Sequence, residues 1–234
     1  MRAVILAGGK GTRLLPYTKF FPKPLVPIGE KPILDTILRQ LKYFSFTHVT
    51  LAVGHMSDMI RAYIQTGEKY GMEIGYEIEA EPLGTVGPLA QINGLNDDFL
   101  VMNGDIITNL NYGDLVKYHR NSGAVATIAS YEKQFKIELG IIHGDNNNIE
   151  DYIEKPVQTF NVSMGIYIFS PTVLQYIEPE KYLDFPSLIR NLLDDGQKIK
   201  SYPFTGYWLD IGNHTDFEKA TEEYDTIKGE LHLG

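Results

Sequence analysis

The first part of the chain alternates short apolar runs with amphipathic stretches. Residues 2–6 form an apolar run without alternation, which is typical of a parallel strand covered on both faces. Apolar side chains recur at helical spacing through residues 32–44, so this stretch is predicted to be a helix with its polar face outward. A second strand at residues 49–53 precedes a predicted helix that runs to about Ile64, with Ser57 as its candidate cap. This alternation predicts a doubly wound α/β sheet whose ligand crevice lies at the carboxyl ends of its strands.

The later part of the chain differs, because strand-like runs follow one another and are separated by turn residues such as GDNNN. The remaining predicted strands are residues 73–79, 99–102, 124–131, 139–143, 149–153 and 162–169. The remaining predicted helices are residues 86–92, 171–177, 186–193 and 216–224. The second group of strands indicates a mixed sheet, flanked by helices, that is inserted or appended. With no repeat or linker in the sequence, we expect one domain over residues 1–234.

Composition narrows the class of protein. With 43% hydrophobic and 22% charged residues, the chain is typical of a globular protein. A net charge of −9 argues against a dedicated nucleic-acid surface, so any anionic ligand must meet a local cluster of cations. The absence of cysteine excludes disulfides, thiolate metal sites and cysteine nucleophiles, and it fits the reducing cytoplasm. The N-terminal apolar run is too short for a signal peptide or a membrane helix, so we expect a soluble, cytoplasmic protein with no membrane partner.

A glycine-rich loop follows the first predicted strand in the segment LAGGKGTRL. Its glycines let the backbone turn sharply and present amide hydrogens to a ligand, as phosphate-binding loops do. Lys10 and Arg13 add two cations to this loop. The spacing is neither GxGxxG nor GxxxxGK[ST], which weakens both a hydride-transferring Rossmann enzyme and a P-loop kinase. We therefore predict a phosphate-binding loop of another kind, the alternative being a turn with incidental charges.

Two aspartates are placed where predicted strands end. Asp105 follows the apolar run FLVMNG and Asp210 follows YWL, so both carboxylates are expected to face the crevice. Mg²⁺ suits such a pair, because it takes one or two carboxylates together with phosphate oxygens and water. The alternative is that both aspartates only form turns. The histidines show no metal-ligand spacing and are expected on the surface or in the core; they are His48, His55, His119, His143, His214 and His232.

Several segments occur together in a recognisable order: LAGGKGTRL, FPKPLVPIGEKPIL, LGT, NGD, EKP and YWLDIG. In these segments the chain resembles the sugar-1-phosphate nucleotidylyltransferase (NDP-sugar pyrophosphorylase) family, from residue 1 to about residue 224. The resemblance implies a Rossmann-like domain that joins a nucleoside triphosphate to a sugar 1-phosphate and releases pyrophosphate. It further implies a nucleotide-binding half at about residues 1–110, a sugar-phosphate half at about residues 111–234, and a possible homo-oligomer. Because the chain ends soon after the last predicted helix, a nucleotidyltransferase core without a C-terminal β-helix is expected.

The resemblance also implies roles for individual residues. Arg13 is expected to contact the departing phosphates and Lys23 the reacting ones, while Asp105 and Asp210 would hold Mg²⁺. Lys23 lies between two prolines that limit its backbone freedom, and the alternative for it is a solvated surface lysine. The expected nucleotide-binding residues are Leu6, Ala7, Gly8, Gly9, Lys10, Gly11, Thr12, Arg13, Glu79, Gly84 and Thr85.

Glu79 bears on the identity of the base. It occupies the position where pyrimidine-nucleotide members of the family commonly carry glutamine, and EPLGTVGPL resembles a segment of mannose-1-phosphate guanylyltransferases. Guanine presents two adjacent donors that one carboxylate can accept, whereas uracil and thymine present one donor flanked by repelling acceptors. GTP is therefore favoured. If Glu79 instead turns to solvent and the backbone near Gly84 and Thr85 contacts the base, UTP, dTTP and CTP stay open.

The sugar side departs from the family pattern. Where many relatives read VNAGIY, this chain reads VSMGIY, so Ser163 and Met164 replace the asparagine and the alanine. By resemblance, the expected substrate-binding residues are Gly140, Glu154, Lys155, Ser163 and Met164. Met164 adds flexible apolar volume beside the sugar or fills the core. Mannose 1-phosphate is favoured, with glucose 1-phosphate, heptose 1-phosphate or another phosphorylated acceptor as alternatives. A noncatalytic nucleotide-sugar sensor is the rival class, and the full set of charged residues argues against it.

Overall fold

The structure, a computed structural model, describes residues 1–79, 81–145 and 147–233. In chain order the strands are β1 (Arg2–Ala7), β2 (Pro27–Ile28), β3 (Lys31–Pro32), β4 (His48–Val53), β5 (Glu73–Ile78), β6 (Phe99–Asn103), β7 (Ile106–Thr108), β8 (Ala126–Lys136), β9 (Ile141–Asp145), β10 (Asn148–Ile153), β11 (Val157–Phe169), β12 (Ile199–Phe204) and β13 (Trp208–Asp210). The α-helices are α1 (Ile33–Tyr43), α2 (Ser57–Ile64), α3 (Tyr112–Ser122), α4 (Phe185–Asp194) and α5 (His214–Ile227).

The main sheet is mixed and Rossmann-like, as expected. Its strand order is β12-β8-β11-β6-β1-β4-β5. The pairs β6–β1, β1–β4 and β4–β5 are parallel, whereas β11 runs antiparallel to both β6 and β8. The second-half strands β8, β11 and β12 therefore continue the same sheet, while β9 and β10 form a separate two-stranded pair. Expecting the whole second group to be inserted or appended was wrong, because β11 pairs directly with β6.

Both faces of the central strands are buried, which explains their unbroken apolar sequences. In β6, Leu100 and Met102 belong to one core and Phe99 and Val101 to the other. The first core contains the apolar faces of α1 and α5, and the second contains that of α4. Alternate side chains of one strand thus hold helices on opposite faces and fix the edge where the carboxyl ends of the strands meet.

The predicted helices are confirmed in most cases, with corrections at short segments. The segments expected to be helices at 86–92 and 171–177 are 3₁₀-helices, Gly87–Gln91 and Pro171–Tyr176, because each is too short for a stable α-helix. Ser57 begins α2 but makes no capping hydrogen bond, so that prediction was wrong. Helix α3 was missed, although Asn111 caps its start by accepting a hydrogen bond from the Asp114 amide at 3.0 Å. In the described ranges, no helix has the length and apolarity to cross a membrane.

A buried histidine supports the packing of α3 on the sheet. The His119 side chain is 2% exposed, with Nδ1 2.8 Å from the Thr127 hydroxyl and Nε2 3.2 Å from the Ser170 hydroxyl. Burial lowers the pKa of His119, and the charge of Arg120 lowers it further, against the opposing effect of Asp98. The imidazole is thus held in its neutral form.

This histidine should make stability depend on pH. Below about pH 6.5 the unfolded chain takes up a proton at His119 that the folded chain resists, so the free energy of unfolding should fall as pH decreases. Urea unfolding between pH 7.5 and 5.5 measures this decrease in the free energy of unfolding. We expect its slope against pH to be smaller in His119→Gln than in wild type, by at most about 1.4 kcal/mol per pH unit. The exposed-site variant His143→Gln serves as the control. Equal slopes in wild type and His119→Gln would contradict the assignment.

Candidate active site

A cleft of about 890 Å³ lies at the carboxyl ends of the parallel strands. The predicted nucleotide-binding residues all line it, and they are Leu6, Ala7, Gly8, Gly9, Lys10, Gly11, Thr12, Arg13, Glu79, Gly84 and Thr85. Lys23 and Asp105 line the same cleft. The segments that follow β1, β4, β5 and β6 meet in this cleft. In open parallel sheets, ligands bind at this edge, outside the carboxyl ends of the strands.

Close packing shapes the glycine-rich loop. Gly11 has φ +62°, and a Cβ atom there would lie 2.8 Å from the Thr18 methyl group and 3.1 Å from the Lys23 Cβ. The Thr18 hydroxyl donates a hydrogen bond to the Gly11 carbonyl at 2.8 Å. At Gly8, a Cβ atom would lie 2.8 Å from a carboxylate oxygen of Glu79. Glycine is therefore needed at position 11, where the backbone is left-handed and closely packed, and at position 8 it leaves room for the Glu79 carboxylate.

Two cations and two carboxylates converge at the β6 end of the cleft. The Lys23 ammonium pairs with Oδ2 of Asp105. Because β13 pairs antiparallel with β7, Asp210 lies opposite Ile106, next along the chain to Asp105. Arg13 approaches from the glycine-rich loop. Its guanidinium nitrogens lie 3.8 Å from the position that a Cβ atom would take at Gly212, so Arg13 is close to the segment that follows Asp210. Sequence positions more than 100 residues apart thus form one charged cluster.

The carboxylates of this cluster repel one another. Asp210 is not among the residues that line the cleft, but it lies beside Asp105 at this end. Partial desolvation by the surrounding protein, together with the Asp105 charge, raises the pKa of Asp210. Lys23 and Arg13 act in the opposite direction. Oδ1 of Asp105 is buried and has no hydrogen-bond partner among the described residues. An unpaired carboxylate oxygen beside a second carboxylate is the hard oxygen donor set that a divalent cation fits.

At the β5 end, the Glu79 carboxylate forms part of the wall. Its Oε2 accepts a hydrogen bond from the Leu83 amide at 3.3 Å. Desolvation raises the pKa of Glu79, and the charge of Glu77 adds to this, while the Leu83 hydrogen bond opposes it. Because Glu79 lines the cleft, a ligand bound there can contact its carboxylate.

The predicted sugar-side residues lie apart from this cleft wall. Glu154 and Lys155 are exposed after β10, and Glu154 accepts a hydrogen bond from the Tyr152 hydroxyl at 2.9 Å. Gly140 packs against the same tyrosine, since a Cβ atom there would lie 2.1 Å from the hydroxyl oxygen. Tyr152 thus connects these two predicted positions on one hairpin.

Ser163 and Met164 occupy the irregular part of β11 beyond the end of β6. The Ser163 hydroxyl donates to the Tyr167 hydroxyl at 3.0 Å and accepts from the Gly165 amide at 3.2 Å. Met164 is fully buried in the core, which corresponds to the core-filling alternative. Gly165, with φ +72°, passes against Asn103, which lines the cleft. This stretch supports the cleft through its backbone.

Among the cleft residues that were not predicted are two with ring side chains, His55 and Tyr182. His55 follows β4 and lines the cleft, although it was grouped with surface or core histidines. Its position after a parallel strand, like that of Gly8 after β1, was the signal available in the sequence. Tyr182 also lines the cleft, but it arrives from a segment that no sequence pattern connects to the β5 loop.

The fold is mixed α/β, and the cleft at the ends of its parallel strands combines a glycine-rich loop with the cations Lys10, Arg13 and Lys23. The profile of the family described as Nucleotidyl transferase matches residues 2–227. The chain therefore belongs to the nucleotidyl transferase family.

Named relatives differ in the nucleotide and sugar that their names specify. Mannose-1-phosphate guanyltransferase beta-B of Xenopus laevis is 37% identical over 227 residues, covering 93% of this chain and 62% of that protein. UTP–glucose-1-phosphate uridylyltransferase of Synechocystis sp. is 34% identical over 243 residues, covering 94% of this chain and 62% of that protein. The chain thus spans less than two thirds of the length of these relatives.

Solved structures share the architecture over almost the whole chain. HddC from Yersinia pseudotuberculosis is 27% identical, with a TM-score of 0.73, and the match covers 95% of this chain and 99% of that chain. A second HddC structure, with the same identity, TM-score and coverage, is complexed with GMP-PN.

Proposed function

We propose that the protein couples a nucleoside triphosphate to a sugar 1-phosphate, giving a nucleotide sugar and pyrophosphate. The observation that carries this proposal is the convergence of Arg13, Lys23, Asp105 and Asp210 at one end of a cleft whose wall is a glycine-rich loop. Two polyanions that repel each other can meet only where such a cluster offsets their charge.

The size and polarity of the cleft fit a nucleoside triphosphate lying across the strand ends. Glu79 follows β5 and Asp105 follows β6, and these strands are three places apart in the sheet. Three inter-strand spacings amount to about 14 Å, enough to separate a base from reacting phosphates. The triphosphate would lie on the loop, with the nucleotide-binding half at about residues 1–110 and the acceptor half at about residues 111–234.

The reaction is an in-line displacement at the α-phosphorus. An oxygen of the sugar phosphate forms a bond to that phosphorus, and the bond to the β-phosphate bridging oxygen breaks, releasing pyrophosphate. Loop amides and Arg13 would hold the departing phosphates, and Lys23 would offset charge on the reacting ones.

Asp105 and Asp210 would hold Mg²⁺ in this site. When bound, the ion neutralises phosphate charge and orients the leaving group. A pair of carboxylates is sufficient, because phosphate oxygens and water complete the coordination of Mg²⁺. The described residues contain no group of three or more His, Asp or Glu side chains that could hold a metal ion. In the proposed site the substrate phosphates would therefore supply ligands that the protein does not.

GTP is the proposed nucleotide. The Glu79 carboxylate in the cleft wall can accept both the N1 hydrogen and the amino hydrogens of guanine. The guanylyltransferase names of relatives and the GMP-PN bound to HddC support the same base. UTP, dTTP and CTP are the alternative nucleotides.

Replacing Glu79 with glutamine should lower the preference for GTP over UTP by about tenfold, because an amide nitrogen would face one of the guanine donors. The Leu83 hydrogen bond can be kept by the amide oxygen. The ratio of the two kcat/KM values measures the effect, and the exposed neighbour variant Glu81→Gln is the control. Since the raised pKa of Glu79 lets it protonate at less acidic pH, wild-type preference for GTP should also decline as pH falls. An unchanged ratio in Glu79→Gln would show that this side chain does not read the base.

Mannose 1-phosphate is the proposed acceptor, held from the hairpin side by Lys155 on the phosphate and Glu154 on sugar hydroxyls. The backbone of Gly140 and the hydroxyl of Ser163 would border the sugar. Because the Ser163 hydroxyl already bonds Tyr167 and Gly165, its share in binding the sugar is expected to be small.

A pyrophosphate-release screen tests the proposal. GTP, UTP, dTTP and CTP are combined with mannose, glucose and heptose 1-phosphates in the presence and absence of Mg²⁺. We expect release only when all three components are present, with GTP and mannose 1-phosphate as the fastest pair. Binding of nucleotide without release in any combination would instead support the sensor class.

A further inference from the structure

The loop beside Glu79 is held in place by a second chain segment, residues 181–185. The Leu183 amide donates a hydrogen bond to the Leu83 carbonyl at 2.9 Å. In return, the amides of Val86 and Gly87 donate to the Leu183 carbonyl at 3.0 and 3.3 Å. The Phe185 amide also donates to the Thr85 hydroxyl at 3.1 Å. Backbone hydrogen bonds therefore hold the two segments in a fixed relation.

Glycine allows their close approach. Gly84 has φ +80°, and a Cβ atom there would lie 2.4 Å from the Leu183 carbonyl oxygen and 3.2 Å from the ring of Tyr182. At Gly87, a Cβ atom would lie 2.9 Å from the Lys181 carbonyl oxygen. The Tyr182 ring consequently sits directly against the loop that borders the base end of the cleft.

Side chains of the segment have different environments. Phe185 is buried and stacks on Tyr167, with ring centroids 4.0 Å apart, and Lys181 pairs with Glu178. Tyr182 is 66% exposed, lines the cleft, and makes no hydrogen bond to any residue in the described ranges. An aromatic ring on an anchored backbone, open to a ligand cleft, can bind with little further loss of conformational entropy.

We infer that Tyr182 is a nucleotide-contacting residue whose ring stacks on the base of the bound nucleoside triphosphate. This rests on the proposed function, and it adds a second base contact of a different kind. Glu79 would discriminate guanine by hydrogen bonding, whereas stacking on Tyr182 would strengthen binding of every base, because each base has a π face. Tyr182 thus supplies affinity and Glu79 supplies selectivity.

Equilibrium binding to the full chain tests this inference without requiring turnover. Titrations use GTP, UTP and inorganic triphosphate with wild type, Tyr182→Ala, Tyr182→Phe and the control Tyr43→Ala, an exposed tyrosine outside the cleft lining. Tyr182→Ala should weaken binding of GTP and UTP by about tenfold each and leave binding of inorganic triphosphate unchanged. Tyr182→Phe and Tyr43→Ala should bind all three ligands as wild type does.

Other outcomes separate this inference from the proposed function. Equal nucleotide affinity in wild type and Tyr182→Ala, or an equal loss for inorganic triphosphate, would overturn the stacking contact and leave the proposed function standing. A loss in Tyr182→Phe as large as in Tyr182→Ala would overturn it as well, because the ring would then be irrelevant. If wild type bound neither GTP nor UTP, both proposals would fail.

Discussion

Replacing Asp105 with asparagine should reduce the rate of pyrophosphate release about a thousandfold, the scale of the several kcal/mol that a catalytic metal contributes. Asparagine keeps the shape of the side chain but removes the charge that pairs with Lys23 and acts on Asp210. Oδ1 of Asp105 is buried without a partner among the described residues, so it is free to bind a cation. The measurement is kcat at saturating nucleotide and acceptor over a range of Mg²⁺ concentrations.

The control variant is Asp58→Asn, whose carboxylate is 94% exposed on α2 and lies outside the cleft lining. It should retain wild-type rates at every Mg²⁺ concentration. Binding of Mn²⁺ in the presence of GTP, followed by electron paramagnetic resonance, gives a second readout that does not require turnover. Tight Mn²⁺ binding and a normal rate in Asp105→Asn, with unchanged circular dichroism, would contradict the metal assignment.

The parts of the site that the sequence predicted are those that follow long, regular elements. The glycine-rich loop comes after β1 and Asp105 comes just after β6, and both strands carry continuous apolar residues because both of their faces are buried. Since parallel strands end at a common edge, the meeting of these two segments could be inferred without coordinates.

The rest depends on contacts that leave no periodic pattern. Strands β7 and β13 have three residues each, too few to show alternation, yet their pairing brings Asp210 to Asp105. The position of Tyr182 results from hydrogen bonds between two loops. Met164 replaces an alanine next to the expected sugar, but its apolar side chain turns into the core, since an irregularity in β11 changes the direction of successive residues.

Lys23 combines two roles, pairing with Asp105 in the structure and contacting phosphate in the proposed reaction. In the structure its ammonium pairs with Asp105, and only 12% of its side chain is exposed. In the proposed reaction it would offset phosphate charge. This pairing should stabilise the fold because Asp105 and Asp210 are neighbouring negative charges that repel each other. The Lys23 charge offsets that repulsion and lowers the pKa of Asp210. A neutral residue at position 23 should therefore affect both the resting site and the reaction.

We expect Lys23→Met to reduce kcat about a hundredfold, as the loss of one stabilising group at a transition state does. Without Mg²⁺ its melting temperature should fall by several degrees, because two neighbouring carboxylates lose their cation, and the raised pKa of Asp210 should rise further. Saturating Mg²⁺ should restore the melting temperature while kcat stays low, since the ion replaces the charge beside the aspartates but not the contact with phosphate. Lys19→Met, a change at an exposed lysine four residues earlier in the chain, should alter neither quantity. Recovery of kcat together with the melting temperature would mean that Lys23 only balances the aspartates and does not contact the reacting phosphates.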